Sequence, residues 1–116
     1  NKKNVPQGVE VFEIQGPFFF GVVSTFLETM NNIEERPKVR ILRMRHVTSI
    51  DATALNALRQ VILKSKKIGI RLILSGVDQQ ILNTLKTSGI DDIIGNENIV
   101  PHIDAALNYA RELLKR

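Results

Sequence analysis

The residues whose types and spacing could do chemistry lie in one short segment, Ser49-Ile50-Asp51-Ala52-Thr53. Apolar residues dominate residues 39–44 before it, as is typical of a strand covered on both faces. After Asp51, apolar residues recur at spacings of three and four, which predicts a helix. Asp51 therefore stands at an N-cap position, where its carboxylate can accept free amide protons of the first turn. Thr53 follows in that turn, at the carboxyl end of the strand, where open α/β sheets commonly bind ligands.

Two interpretations of this segment are open. In the first, Asp51 is only a cap and Thr53 is an ordinary residue of a first helical turn. In the second, Thr53 is a phosphorylation site, because a phosphate there would meet the positive end of the helix dipole and free backbone amides. Such a phosphate would add up to about two negative charges to an exposed turn, which can make or break a protein contact.

The remaining residues do not form a recognisable catalytic or metal-binding motif. Gly16 and Gly21 have the spacing that opens a phosphate-binding loop, but Val22-Val23 stand where Lys and Ser or Thr are required. The two histidines, His46 and His102, are far apart in sequence, and the chain has no cysteine. Ser49 has no neighbouring base. We therefore expect no catalytic residues, no metal and no resident cofactor.

Composition indicates one ordinary globular domain. The chain has 116 residues, of which 43% are hydrophobic, and 16 Lys and Arg against 12 Asp and Glu give a net charge of +4. Nucleic acid is a natural partner for a basic chain, but the only aromatic residues are five Phe and one Tyr, so no stacking platform is expected. We expect a solvated basic surface and no nucleic-acid binding. No apolar run reaches the length of a membrane-spanning helix.

Hydrophobic periodicity predicts strands and helices in alternation. Residues 1–8 are polar and interrupted by Pro6 and Gly8, which indicates a tail or linker. Residues 9–14 alternate apolar and acidic, which favours a strand near the edge of the sheet. A helix with an apolar face follows Gly16-Pro17, and we interpret that face as core packing; it consists of Val22, Val23, Phe26, Leu27, Met30 and Ile33.

The second half of the chain continues the alternation. The helix after Asp51 carries an apolar face of Ala54, Leu55, Leu58, Val61 and Ile62. The pattern then predicts a strand over residues 70–74, a helix capped by Asp78 or Ser75 and ended by Gly89, a short strand at Ile93-Ile94, and a final helix from about Pro101. We expect an α/β fold with a mixed, mostly parallel sheet of about four to five strands and about four helices packed on it.

The segment Ile50-Asp51-Ala52-Thr53-Ala54-Leu55 resembles the signature turn of STAS domains, a module shared by sulfate transporters and bacterial anti-sigma-factor antagonists. In the antagonists, the second of two small residues after the aspartate is phosphorylated by a partner kinase. Asp51, Thr53 and Leu55 match that pattern. Ala52 and Ala54 depart from it, and Ala54 stands where the antagonists usually have glycine.

Other segments are similar to STAS domains of the SulP type of anion transporter. Gly16-Pro17-Phe18-Phe19-Phe20 and Arg43-Met44-Arg45 are two of them, whereas antagonists usually have an acidic residue soon after that glycine and Asp at position 43. The carboxyl-terminal part adds Leu85-Lys86-Thr87-Ser88-Gly89-Ile90, Ile94-Gly95 and Ile103-Asp104-Ala105-Ala106-Leu107. In this order and spacing, the segments identify residues 9–116 as a member of the STAS family.

The resemblance implies a regulatory or assembly role at the cytoplasmic face of the bacterial inner membrane, as the tail of a transporter for sulfate or a related anion. The implied partners are the transmembrane core of its own transporter, cytoplasmic regulatory proteins and a kinase, with dimers formed through the transporter. Asp51 would shape the turn, Thr53 would accept the phosphate, and Ser49 is a second, weaker candidate acceptor. Some family members are associated with nucleotide binding, but this chain has no phosphate loop.

Two rival functions come from other classes. A free-standing anti-sigma-factor antagonist is the first, and Pro17-Phe18 and Arg43 argue against it. A small phosphate-handling enzyme is the second, but the residues for that chemistry are missing. Because the chain starts at Asn1 and not at Met, we expect it to be part of a longer protein.

Overall fold

The computed structural model describes residues 4–31 and 36–116. Within these ranges, four strands and five α-helices alternate along the chain. The strands are β1 (Val9–Glu13), β2 (Val39–Arg43), β3 (Arg71–Ser75) and β4 (Ile99–Val100). The helices are α1 (Phe20–Asn31), α2 (Ala52–Ile68), α3 (Gln79–Thr87), α4 (Ile90–Ile94) and α5 (Ile103–Leu114), with a 3-10 turn at Asn96–Asn98.

The four strands form one sheet in the order β1-β2-β3-β4, and each neighbouring pair is parallel. In the register of the sheet, Val9 pairs with Val39, which in turn pairs with Arg71. Parallel neighbours require crossover connections, and helices α1, α2 and α3–α4 supply them. The predicted α/β fold is therefore confirmed. The sheet contains no antiparallel pair among the described residues, so it is parallel where a mixed sheet was expected.

Helices cover both faces of the sheet. On one face, Leu42 and Leu74 pack with α1, α2, α3 and α4 in the larger core cluster. On the other face, Ile41 and Ile73 pack under α5. The adjacent residues Ile41 and Leu42 of β2 thus enter different cores, which explains why apolar residues occur on both faces of this strand. By contrast, all five residues of β1 are half-buried, as predicted for a strand at the sheet edge.

Strand β2 contains two arginines, of which Arg43 is half-buried at the end of the strand and Arg40 is buried. The Arg40 side chain is only 2% exposed, and its Nε donates to Glu10 Oε1 at 2.6 Å on the neighbouring strand β1. The sheet register places these two residues side by side. The ion pair therefore links the edge strand to the central strand and supplies a partner for a buried charge.

One predicted strand is wrong. Ile93-Ile94 lies at the end of helix α4, and the last strand is instead β4 at Ile99–Val100. Gly89 has a φ of 79°, which lets the chain turn directly from α3 into α4. Ile90 and Ile94 then lie one helical turn apart and are both buried. A short apolar run does not distinguish a buried helix from a buried strand, which is why the sequence pattern was ambiguous here.

The apolar face of α1 is narrower than predicted. Val23, Phe26 and Met30 are buried, and the ring centroids of Phe26 and Phe18 are 5.0 Å apart in an edge-to-face arrangement. Val22, which was assigned to the same face, is 41% exposed. Ile33 lies outside the described residues. None of the described helices combines the length and the hydrophobicity needed to span a bilayer.

Candidate functional site

The candidate site is the connection between β2 and α2, at the carboxyl edge of the sheet. It is tied to the segment before α1 by two backbone hydrogen bonds, which together make one isolated parallel bridge. Phe18 forms an isolated parallel bridge with Ile50. The Phe18 amide donates to the Ser49 carbonyl at 2.9 Å, and the Asp51 amide donates to the Phe18 carbonyl at 3.2 Å. These bonds fix the position of Asp51 relative to the start of α1.

The Asp51 carboxylate binds the starts of two helices. As the N-cap of α2, it accepts from the Ala54 amide through Oδ1 at 2.9 Å. Its other oxygen, Oδ2, accepts from the amide of Phe20, the first residue of α1, also at 2.9 Å. The bonds from Ala54 and Phe20 hold the pKa of Asp51 below its ordinary value of 3.8, because they favour the ionised carboxylate.

The bond from Asp51 to Phe20 joins residues 31 positions apart and was not predicted from the sequence. No local signal could have shown it, since capping rules consider only the helix that follows the cap. Both the Gly16-Pro17-Phe18-Phe19-Phe20 segment and the segment around Asp51 resemble STAS domains. Their physical connection is this shared carboxylate together with the Phe18–Ile50 bridge.

The two candidate phosphoacceptors differ in exposure. Thr53 is exposed and is the second residue of α2. Ser49 is half-buried, and its carbonyl is occupied by the Phe18 amide. Each of them lies two positions from Asp51 in the sequence, but a kinase could reach the Thr53 side chain more easily than that of Ser49. Of the two hydroxyl side chains, that of Thr53 is therefore the more accessible to solvent.

An apolar patch of three exposed side chains lies at the start of α1, beside the candidate site. Phe18 is fully buried, whereas Phe19 is 44% exposed, Phe20 is 73% exposed and Val22 is 41% exposed. Phe18 thus anchors the segment in the core and leaves the next two rings facing outward. We call Phe19, Phe20 and Val22 the α1 patch. The Phe20 amide donates a hydrogen bond to Asp51, so the α1 patch is joined directly to the Asp51 turn.

A charged cluster lies where β1 and β2 end. Glu13 accepts from Arg45 Nε at 2.9 Å and from Arg45 Nη2 at 3.4 Å, and His46 Nε2 lies 3.4 Å from the same carboxylate. The bond from Arg45 holds the pKa of Glu13 below its ordinary value. The other histidine, His102, caps α5 by accepting the Ala105 amide at its Nδ1. The described ranges contain no group of three or more acidic or histidine residues that could hold a metal ion.

A family model described as the STAS domain matches residues 2–106 of the chain. Among solved structures, a sulfate transporter family protein of Wolinella succinogenes superimposes with a TM-score of 0.94 at 46% identity. That match covers 98% of this chain and 93% of the other. The STAS domain of a SulP transporter from Vibrio cholerae superimposes with a TM-score of 0.84 at 31% identity, over 97% of this chain and 88% of the other.

A curated relative from Arabidopsis thaliana, named probable sulfate transporter 4.2, is 30% identical over 115 residues. The match covers 84% of this chain but only 17% of the plant protein, so the chain corresponds to a small part of that relative. A Thermotoga maritima protein named as an anti-sigma factor antagonist superimposes with a TM-score of 0.76 at 16% identity, over 97% of this chain and 92% of the other. At that identity, the likeness is one of fold alone.

Proposed function

The chain belongs to the STAS domain family, and we propose that it is the cytoplasmic regulatory domain of a SulP-type transporter for sulfate or a related anion. The observation that carries the proposal is the 31% identical SulP transporter STAS domain of Vibrio cholerae, which matches nearly the whole chain. The transmembrane core of the same transporter is then its principal partner, at the inner face of the bacterial inner membrane. Its role is to modulate transport or assembly through protein contacts, and cytoplasmic regulatory proteins are further partners.

Regulation of this kind requires that the free energy of docking the domain on the transmembrane core differs between the states of the transporter. A domain that docks equally well on every state of a transporter changes nothing, however tightly it docks. The exposed Thr53 and the α1 patch provide a surface on which contact with the core can depend on state. A change of charge at Thr53 alters that contact by repulsion or by forming new ion pairs with basic groups.

Phosphorylation of Thr53 is the proposed source of the charge. In a partner kinase, Thr53 Oγ attacks the γ-phosphorus of ATP and passes its proton to a base of the kinase. The new O–P bond replaces the bond between the γ-phosphorus and the bridging oxygen, and ADP leaves with that oxygen. The resulting phosphate lies in the same first turn as the Asp51 carboxylate, which already occupies the Ala54 and Phe20 amides. Repulsion between the two anions weakens the hold of Asp51 on Phe20 and so changes the setting of the α1 patch.

Transport by the full-length protein tests this function. We expect Thr53→Asp to change the transport rate relative to Thr53→Ala and wild type, because only the aspartate adds a charge to the turn. Thr87→Asp is the matched control, since Thr87 is also exposed but lies at the end of α3. Equal rates in wild type, Thr53→Ala and Thr53→Asp would remove Thr53 from the mechanism.

The alternative function is a free-standing anti-sigma-factor antagonist controlled by a partner kinase. The fold likeness to the Thermotoga maritima protein agrees with it, at 16% identity. The sequence disfavours it, because Pro17-Phe18 and Arg43 stand where antagonists usually carry acidic residues. The reading frame upstream of Asn1 separates the two functions: hydrophobic membrane spans there agree only with the transporter, and a frame of domain size without them agrees only with the antagonist.

A further inference from the structure

A cleft of about 620 Å³ lies at the opposite edge of the sheet from the Asp51 turn. Its walls come from the amino ends of β2 and β3, the last turn of α2, the α4 region and the end of α5. The volume falls within the range of small-molecule sites, which is about 300–1,000 Å³. Neither the family resemblance nor the proposed function uses this cleft.

Cationic side chains dominate the charge of the cleft. Lys38, Lys66, Arg71 and Arg116 line it. Lys38, Lys66 and Arg116 form no ion pair with any residue that the structure describes. Arg71 donates from Nη1 to Asn98 Oδ1 at 3.3 Å and to the Tyr109 hydroxyl at 2.9 Å, and both acceptors are neutral. Four positive charges therefore line one concave surface, and none of them is held in an ion pair with another described residue.

Two carboxylates and an apolar floor shape the rest of the cleft. Asp92 and Glu97 lie on the wall formed by α4 and the 3-10 turn, so the walls differ in the sign of their charge. The floor is made of buried or half-buried apolar residues, among them Ile70 and Leu72. A bare inorganic anion would leave this floor without a partner. An organic anion can place its charge on the basic wall and its apolar part on the floor.

We propose that this cleft binds an organic phosphate, with the phosphate among Lys38, Lys66 and Arg71 and an apolar ring or short chain on the floor. A phosphate fits better than a single carboxylate, because its oxygens can accept from several cations at once. The positive excess of the cleft also raises the local concentration of anions. A soluble phosphorylated molecule and a phospholipid headgroup share this chemistry, and experiment distinguishes them.

The test is titration of the 116-residue chain with phenyl phosphate, followed by the backbone amide signals of Gly69 and Gly95, both of which line the cleft. We expect saturable shifts with a Kd in about the millimolar range, as suits so small a probe, and weaker binding of phenol and of inorganic phosphate. Vesicles containing phosphatidic acid form the second arm. Binding of phenyl phosphate identifies a soluble ligand class, whereas binding only to vesicles identifies a lipid headgroup. Failure to bind in both arms overturns the proposal.

Two charge reversals on one helix turn provide the specificity control. Lys66 and Lys67 are both exposed in the last turn of α2, but only Lys66 lines the cleft. Lys66→Glu should weaken phenyl phosphate or vesicle binding about tenfold or more, and Lys67→Glu by less than about twofold, although both change the net charge equally. Lys66→Gln removes the positive charge but keeps a long polar side chain, so it does not disturb the exposed helix face. A loss of binding in Lys66→Gln as well shows that the loss in Lys66→Glu does not come from unfolding. Equal losses of binding in Lys66→Glu and Lys67→Glu would show that the anion is attracted by the overall charge of the domain. That result would refute a specific site in the cleft.

Discussion

Asp51 links two helices through a single carboxylate, with one oxygen on the Ala54 amide and the other on the Phe20 amide. Both bonds favour the ionised form and lower the pKa of Asp51. A neighbouring phosphate has the opposite electrostatic effect on that carboxylate. At the residue scale, the proposed regulation is therefore a competition between two anions for the same turn.

Asp51 should make stability depend on pH. Because its pKa in the folded chain is below the ordinary 3.8, its contribution is fully present above that value and is lost as the pH falls through the folded pKa. We expect the difference in unfolding free energy between wild type and Asp51→Asn to be largest near about pH 7 and to shrink below about pH 3.8. Urea unfolding of both proteins over this range measures it. A difference that stays constant with pH would mean that the ionised carboxylate is not what the amides require.

The sequence was sufficient to place a helix start at Asp51 but not to find Phe20. An N-cap is a local feature, so residue type and the periodicity that follows reveal it. The Phe20 bond depends on how β1 and β2 pair and on the path of the chain before α1. Such a tertiary contact leaves no local sequence signal.

At the element scale, α2 is held by residues that face the sheet. Leu58 is fully buried, whereas Leu63 on the same helix is 50% exposed. Leu58→Ala should lower the free energy of unfolding by about 2–5 kcal/mol, because it leaves a cavity in a packed core. Leu63→Ala should cost less than about 1 kcal/mol. Chemical denaturation of both variants measures the difference, and similar losses would contradict the assigned face of the helix. Leu55 is only half-buried, so its truncation should cost less than that of Leu58.

The turn after β3 should tolerate only glycine. Gly76 has a φ of 73°, and a Cβ there would lie 3.1 Å from Arg45 Cβ and 3.2 Å from the Arg45 Cα and amide nitrogen. Gly76→Ala should therefore destabilise the chain by about 1–3 kcal/mol through backbone strain and crowding. Gly21→Ala in α1, where a Cβ meets nothing within 4 Å, should instead stabilise it by about 0.5 kcal/mol. Thermal unfolding of the pair tests this, and a neutral Gly76→Ala would show that the turn can relax.

The elements that the sequence pattern resolved poorly are the shortest ones. Long periodic segments such as α2 and α5 were predicted correctly, because many residues agree on one helical face. Helix α4 has five residues and β4 has two, so each covers little more than one period and the pattern does not repeat. Their identity depends on the αL turn at Gly89 and on pairing with β3, which joins Leu74 to Ile99.

On the scale of the whole molecule, the two edges of the sheet carry different chemistry. The carboxyl edge holds the Asp51 turn, Thr53 and the α1 patch, and the amino edge holds the basic cleft. Family membership could be recognised from the sequence because its segments are spread along the chain in order. The cleft could not be recognised in this way, since the residues that line it come from four separate segments of the chain and converge only on folding.

The central claim is that docking of the domain on its transporter depends on the charge at Thr53. Its most direct test is amide hydrogen exchange, measured on the isolated chain and on the same domain inside the full-length transporter. The account predicts slower exchange around Phe19, Phe20 and Thr53 in the full-length wild type than in the isolated chain. It also predicts that Thr53→Asp in the full-length protein changes this protection, whereas Thr87→Asp does not. Identical exchange of that segment in the isolated chain, the full-length wild type and the full-length Thr53→Asp protein would contradict the account.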